Sequence, residues 1–319
     1  MQISASQHIE RIESAIRGGL AARSPVAASW ARSATLHRLD PAARKAEGRL
    51  TAGEIALARE RLGALLPLAA PHLDRLFLTV GGLGACIVLA DAEGIALERR
   101  GHAGDDAAFE AAGLWTGTLW SEAQAGTNGI GTCLAEGRAV TIHRDQHFLA
   151  RNIGLSCSSA PVHGPGGQML AVIDVSTARM DLPEAIGGLI GATVAEAARR
   201  LEADLFAAEF PGARLVLVPG TDRAGGALLA VDADDLVIGA TRAARVQLNL
   251  TGDLAATPRP VADVLGLEAR DGFDAAERAV LTRALARSGG NVSAAARALG
   301  LSRATLHRKL ERRPSGRGC

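Results

Sequence analysis

The chain is poor in cysteine and almost free of lysine. Its four cysteines, Cys86, Cys133, Cys157 and Cys319, fall at uneven intervals without a CxxC pair. That spacing argues against a disulfide framework and makes a reducing cytoplasm the expected compartment. Lysine stands only at 45 and 309, and neither follows a glycine. A G-x-x-x-x-G-K-[ST] phosphate loop is therefore excluded, and ATP hydrolysis is not expected. No run of eighteen or more apolar residues occurs, so no membrane-spanning helix is expected. The first residues, MQISASQHIERIESAIRGG, carry early acids and no apolar h-region, so no signal peptide is expected.

What is present is concentrated at the C-terminal end. Residues 274–313 read as three short helices. Asp274 and Glu277 suit a capping box, and Val280, Leu281, Ala284 and Leu285 recur at helical spacing. Gly289 and Gly290 are expected to stop that helix, because glycine enters the left-handed conformation freely. Asn291 should cap a second helix packing Ala295, Ala298 and Leu299 inward. Gly300 closes it, and Ser302 caps a third helix with Leu306 and Leu310 buried and Pro314 as its stop. Arg303, Thr305, His307, Arg308 and Lys309 lie largely off that stripe. Two short helices around a glycine turn give a helix-turn-helix layout, whose second helix enters the major groove. From residue 280 onward the local charge is +8 in a chain of net +1, so the remainder carries about −7. A basic module on a mildly acidic body is an electrostatic footprint for nucleic acid, and with the helix-turn-helix layout the expected partner is double-stranded DNA.

The rest reads as α+β and multidomain. Residues 1–75 are expected to be helical: Ile9, Ile12 and Ile16 on a first helix, Pro25 to His37 on a second with Trp30 as a packing anchor, and Ala52 to Leu66 on a third. Residues 76–210 alternate strands and helices. Cys86–Ala90 and Ile95–Arg99 form a hairpin around Glu93-Gly94. Val140–His143, Ser156–Val162 and Gln168–Ser176 are further strands, the last two joined by Gly164-Pro165-Gly166-Gly167. Gly126–Glu136 is a loop leading into a helix, and Leu182–Phe210 is one long helix. Hairpins with helices before, between and after imply a sensory-type α+β domain with an antiparallel sheet. Residues 211–258 hold a smaller unit and linker, with strands at Leu215–Val218 and Leu228–Val231, a turn at Asp232–Asp235, and a strand-to-helix run from Val237 to Leu248.

Three stretches carry a family resemblance: SWARSATLHRLDP at 29–41, GTNGIGTCLAEGRAVTIHRDQHF at 126–148 with LSCSSAPVHGPGGQMLAVIDVS at 155–176, and GGNVSAAARALGLSRATLHRKL at 289–310. Together they resemble bacterial regulators like the acetoin-catabolism activator, which pair a GAF sensor with a Fis-type helix-turn-helix. The segment at 227–248 is similar to the PAS-like module that follows the GAF domain there. The resemblance implies a GAF domain at 76–210, a PAS-like unit at 211–258 and a Fis-type domain at 270–313. Full-length members also carry an ATPase that remodels sigma-54 RNA polymerase, and neither its phosphate loop nor its GAFTGA loop is present here.

By the same resemblance, Arg303 would read guanine O6 and N7, with Thr305, His307, Arg308 and Lys309 adding base or phosphate contacts. Asn291 and Ser293 at the preceding helix start, and Arg313 at the far end, would bind phosphate, and Ser302 is a further DNA-binding candidate. In the sensor, Trp120, Asn128, Thr132, Cys133, His143, Cys157 and Ser159 are the residues expected around an effector cavity. No metal, cofactor or catalytic group is expected. The implied function is a sequence-specific, dimeric transcriptional regulator that senses a small organic molecule and acts on an inverted-repeat operator, with RNA polymerase or another regulator as a further partner. Two alternatives stay open. One is a GAF-based thiol enzyme of the free methionine sulfoxide reductase type, and the other a nucleoid-type architectural protein.

Overall fold

The computed structural model describes residues 4–43, 48–219, 226–267 and 273–311. The chain divides into two compact units between Arg259 and Pro260.

In the first unit, Ser4 and Gln7 form a capping box that starts α1 (Ala5–Arg17). Ser24 caps α2 (Pro25–Ala31), with Pro25 in the first turn, where its missing N–H is no loss. The expected helix to His37 changes character at Arg32. Residues Arg32–Leu36 widen into a π turn, and Ser33 Oγ donates to Ser29 O at 2.9 Å. Trp30 is the expected anchor: it is buried with Ile12, Ala15, Phe148 and Leu149, and its Nε1 donates to Gln146 O at 2.8 Å. The third expected helix is two. α3 (Ala52–Leu62) ends at Gly63, whose φ is +48°, and α4 (Leu65–Val80) continues across the expected boundary at 75 with Pro71 inside it.

The centre of this unit is an antiparallel sheet of β1 (Ala85–Asp91), β2 (Ala96–Arg100), β3 (Val140–His143), β4 (Ser156–His163) and β5 (Met169–Thr177), in the order β2–β1–β5–β4–β3. Three short helices, α5 (Asp106–Ala111), α6 (Glu122–Ala125) and α7 (Gly129–Glu136), lie between β2 and β3, and α8 (Glu184–Glu209) follows β5. The period-two alternation of strands divides the sheet residues between two faces. Ile87, Leu89, Ile173 and Val175 face α4 and α8, which answer with Leu65, Ala69, Leu73, Leu76 and Val80, and with Ile190, Val194, Ala198, Leu201 and Leu205. Both helices bury residues at three- and four-residue steps, the stripe a helix needs to lie on a sheet. Each buried leucine, isoleucine or valine contributes about 1.5–3 kcal/mol. Cys86, Val88, Ala90 and Val172 take the other face, against Phe109, Trp120, Ile130 and Cys133.

β6 (Arg214–Leu217), β7 (Leu228–Val231) and β8 (Leu236–Ala240) form an antiparallel meander, followed by α9 (Arg242–Gln247), which Thr241 caps. Asp232 Oδ1 accepts from Asp234 N and Leu236 N, which fixes the expected turn between β7 and β8.

In the second unit, α10 (Val261–Val264) precedes α11 (Phe273–Arg287), α12 (Val292–Ala298) and α13 (Arg303–Glu311). Leu281, Ala284, Ala295, Ala296 and Leu306 form its core, and Leu310 packs against it. Two sequence expectations are corrected. Ala296 points inward, whereas Ala298 is exposed, and Val280 is 43% exposed. The glycine stops hold: Gly289, Gly290 and Gly300 all have positive φ. The expected cap at Asp274 rests on a side chain outside the described residues, and Arg313, Pro314 and Cys319 lie outside them too. Among the described residues no helix is long and apolar enough to cross a membrane.

Candidate functional site

The helix-turn-helix is built by local capping. Asn291 Oδ1 accepts from Ala294 N at 3.0 Å and starts α12. Ser302 Oγ accepts from Thr305 N at 3.1 Å and lies 2.8 Å from Thr305 Oγ1. Ser302 and Thr305 therefore spend their side chains on starting α13. With Leu306 fixed in the core, helical spacing turns Arg303, Ala304, His307 and Arg308 outward as one stripe, and all four are exposed. Lys309 is on the flank, paired with Glu277 of α11. Of the expected DNA residues, the structure brings Arg303, His307 and Arg308 together. Asn291 and Ser293 are at the exposed start of α12. Ala304 was missed. Its methyl lies between basic side chains, where an apolar contact to a thymine methyl becomes available.

The second face of the five-stranded sheet lies under α7. Strand register aligns Cys86, Ser176 and Cys157 across β1, β5 and β4, and Val88, Asp174 and Ser159 in the next row on the same face. Asp174 is 1% exposed. Its Oδ1 accepts from Ser159 Oγ at 2.5 Å and its Oδ2 from Ser176 Oγ at 2.6 Å. Burial pushes this carboxyl up to about 6, against the pull of the two hydroxyls. His147 Nδ1 lies 2.9 Å from Arg144 O, a carbonyl that can only accept, so Nδ1 carries the proton. His147 Nε2 is then the acceptor facing Cys157 Sγ at 3.3 Å. Burial lowers His147 to about 4 and raises the Cys157 thiol well above its usual range, so the pair is neutral. Cys86 is pushed up to about 11 and Cys133 higher still, both by burial. A nucleophilic cysteine needs the opposite environment.

α7 approaches this row through Gly129. A Cβ there would meet Ser159 Oγ, and would lie 2.6 Å from Asp174 Oδ1 and 2.7 Å from Cys157 Cβ. Asn128 caps α7: its Oδ1 accepts from Gly131 N at 2.9 Å, and its Nδ2 donates to Trp120 O and Gly126 O at 2.9 and 2.8 Å. Trp120 Nε1 donates to Gly113 O and Thr118 Oγ1. Thr132 Oγ1 accepts from Asn128 N at 3.3 Å. Asn128, Thr132, Cys133, Cys157, Ser159 and Trp120 are thus gathered around α7. His143 is on the opposite face, where its Nδ1 meets Ser156 Oγ at 2.9 Å. His143, Asp145 and His147 diverge, to Ser156, Arg11 and Cys157. Among the described residues no group of three or more metal-capable side chains comes together.

Sequence reasoning missed a second buried network, which ties α2 to this region. Arg32 Nε and NH2 donate to the two oxygens of Glu122 at 2.8 and 2.9 Å. Ser29 Oγ donates to Glu122 Oε1 at 2.5 Å and lies 2.7 Å from Thr127 Oγ1. The Glu122 side chain is 4% exposed, so the fork of Arg32 compensates a buried charge. No local signal predicts a pair ninety residues apart. Asp174 did leave one, as a lone acid inside MLAVIDVST.

Comparison with known proteins follows the same division. Residues 273–312 match the model described as bacterial regulatory protein, Fis family. The acetoin catabolism regulatory protein of Cupriavidus necator is 37% identical over 148 residues, 46% of this chain and 22% of that protein. The acetoin dehydrogenase operon transcriptional activator AcoR of Bacillus subtilis is 30% identical over 156 residues, 48% of this chain and 25% of that one. The propane 2-monooxygenase operon transcriptional activator MimR of Mycolicibacterium smegmatis is 34% identical over 117 residues, 35% and 20% of the two chains. The matches therefore span about a quarter or less of these relatives' length. DhaR(N) in the E. coli DhaR(N)-DhaL complex superposes with a TM-score of 0.52 at 18% identity, over 75% of this chain and 81% of that one, which shows a shared mixed α/β fold. The model of the MimR N-terminal domain matches residues 12–186, more than half of the 319, and the chain belongs to that family.

Proposed function

We propose that this chain is a sequence-specific, DNA-binding transcriptional regulator. Residues 270–313 bind DNA, residues 76–210 act as a GAF sensor completed by the N-terminal helices, and residues 211–258 are a PAS-like unit and linker. The protein works in the cytoplasm as a homodimer on an inverted-repeat operator, the arrangement two-fold modules of this kind require. A small organic molecule is its effector, in keeping with relatives named for acetoin and propane operons. The effector regulates by favouring one dimer geometry over the other, because equal affinity for both shifts nothing. Without a phosphate loop the chain acts on RNA polymerase directly or through another regulator, and does not hydrolyse ATP.

The observation that carries this reading is the outward stripe of Arg303, Ala304, His307 and Arg308 on a capped helix over Leu306. The reading is tested with an operator selected from random duplexes and salt-titrated binding to that operator and to its scrambled form. Arg303→Ala should lower operator affinity about tenfold or more, since an arginine–guanine pair discriminates by about 1–3 kcal/mol. Arg308→Ala should weaken both DNAs alike and flatten the salt dependence by about one unit. Equal loss on both DNAs for Arg303→Ala would refute base reading by α13. A wild type without preference for the selected operator would favour the architectural alternative.

A further inference from the structure

The sheet face under α8 is apolar along most of its length but polar at one corner. Period two turns Ser156 and Ser158 of β4 toward α8, and register places Thr141 beside Ser158, with His143 and Thr177 on either side of Ser156. These five side chains line a cavity of about 20 Å³ beneath the first turns of α8. That space admits about one water-sized centre, such as a single oxygen or a halide. Gly187 of α8 forms part of the wall. A Cβ there would meet only Thr141 Cγ2, at 3.9 Å, so no close approach demands glycine. A glycine inside a helix costs about 0.5–1 kcal/mol relative to alanine. Its missing methyl leaves room in the cavity.

The wall is positively charged. Arg144 and Arg179 line it, and among the described residues that do so there is no aspartate or glutamate. Arg179 is neutralised by two bonds to Asp181, at 2.9 and 2.5 Å. Arg144 is not. Its NH2 donates to Met180 O and Leu182 O at 2.7 and 3.3 Å, while its Nε is buried with no acceptor among the described residues. Its backbone sits at φ +45°, a conformation that costs a non-glycine residue about 1–2 kcal/mol. Thr177 Oγ1 accepts from Arg179 N at 3.2 Å, which leaves its own O–H free to donate. α8 begins after Pro183 with no side-chain cap, and Pro183, Ile186 and Gly187 at its start line the cavity, with Ile186 N already donating to Pro183 O at 3.0 Å. The guanidinium Nε–H and the Thr177 hydroxyl are both donors on this wall, and the group that would match them is negative.

We propose that this corner binds one small monovalent anion, either a halide or a single carboxylate oxygen, held by Arg144 Nε and Thr177 Oγ1. The site is on the opposite face of the sheet from Asp174 and Cys157, so it is separate from the sensor core. It fastens the segment after β5 to the root of α8.

The test uses the full chain in buffer free of chloride. Sodium chloride is titrated and its NMR linewidth recorded, with sodium acetate as competitor. The wild type should broaden the chloride resonance in a saturable way. Arg144→Gln should abolish that component, and so should Thr177→Val, which keeps the shape of the side chain and covers the case in which the arginine variant does not fold. Competition by acetate makes the site a carboxylate subsite as well, and its absence makes it a halide site; both uphold the proposal. Broadening that does not saturate in the wild type, or that a folded Thr177→Val retains in full, overturns it.

Discussion

Asp174 and His147 should oppose each other in the acid stability of the sheet unit, and Asp174→Asn should expose the opposition. Asp174 is raised from 3.8 to about 6 by burial. A raised acid contributes stability that is fully present below pH 3.8 and lost as pH rises through about 6. His147 is lowered from 6.5 to about 4, also by burial. A lowered base contributes stability that is present above pH 6.5 and lost as pH falls through about 4. Each shift spans roughly two pH units, or about 3 kcal/mol at 1.36 kcal/mol per unit. In the wild type the two nearly cancel between about pH 4 and 6.5. In Asp174→Asn only the histidine contribution remains of this pair. The variant should therefore gain about 3 kcal/mol on the wild type as pH rises from 4 to 7, in addition to a constant offset from replacing one oxygen that accepts from serine by an amide N–H. Other titrating groups, including Asp91, itself raised to about 6 by burial, cancel in the difference. Urea unfolding followed by tryptophan fluorescence measures it, because Trp30, Trp115 and Trp120 all lie in the first unit. A difference between variant and wild type that is the same at pH 4 and pH 7 would refute the reasoning.

Gly129→Ala should destabilise the same unit by about 1–3 kcal/mol, since its methyl has to displace Ser159, Asp174 and Cys157 together. Unfolding midpoints in urea check this, and a change below about 0.5 kcal/mol would mean that α7 shifts freely. In a Cys319→Ser background, the buried Cys86, Cys133 and Cys157 should resist Ellman's reagent at pH 8 until denaturant is added. Fast modification of any of them in the folded protein, or turnover of free methionine sulfoxide, would restore the thiol-enzyme alternative.

The strands of the sheet were legible because each apolar run ends in turn residues, as Cys86–Ala90 does before Glu93-Gly94. The three C-terminal helices were legible because their caps are local: Asn291 and Ser302 bond within three residues. α4 was read only in part, because Pro71 and a nearly continuous apolar run obscure its stripe. Ala296 and Ala298 cannot be told apart by hydrophobicity, and only the position of the neighbouring helices decides between them. In the sensor, the residues of the GTNGIG loop could be named in advance. Their actual bonds, in which Asn128 and Trp120 serve the loop itself, follow from backbone geometry that periodicity does not contain. His143 shows the limit most clearly: it is in the right stretch, but the alternation of β3 turns it to the opposite face.

The long reach of the N-terminal contacts bears on the order in which this protein folds. α1 and α2 bury Ile12 and Trp30 against Phe148 and Leu149, and Arg32 closes on Glu122. A ribosome delivers these helices before Phe148 and Leu149, which follow more than a hundred residues later. At about 5–20 residues per second the wait lasts roughly 6–27 seconds, far longer than a helix takes to form. Through that interval the first helices hold an apolar face that nothing yet covers. Contacts of such long sequence separation slow the final closure. Completion of the sheet unit is thus a late event that depends on an earlier part of the nascent chain staying uncommitted until residue 150 has emerged.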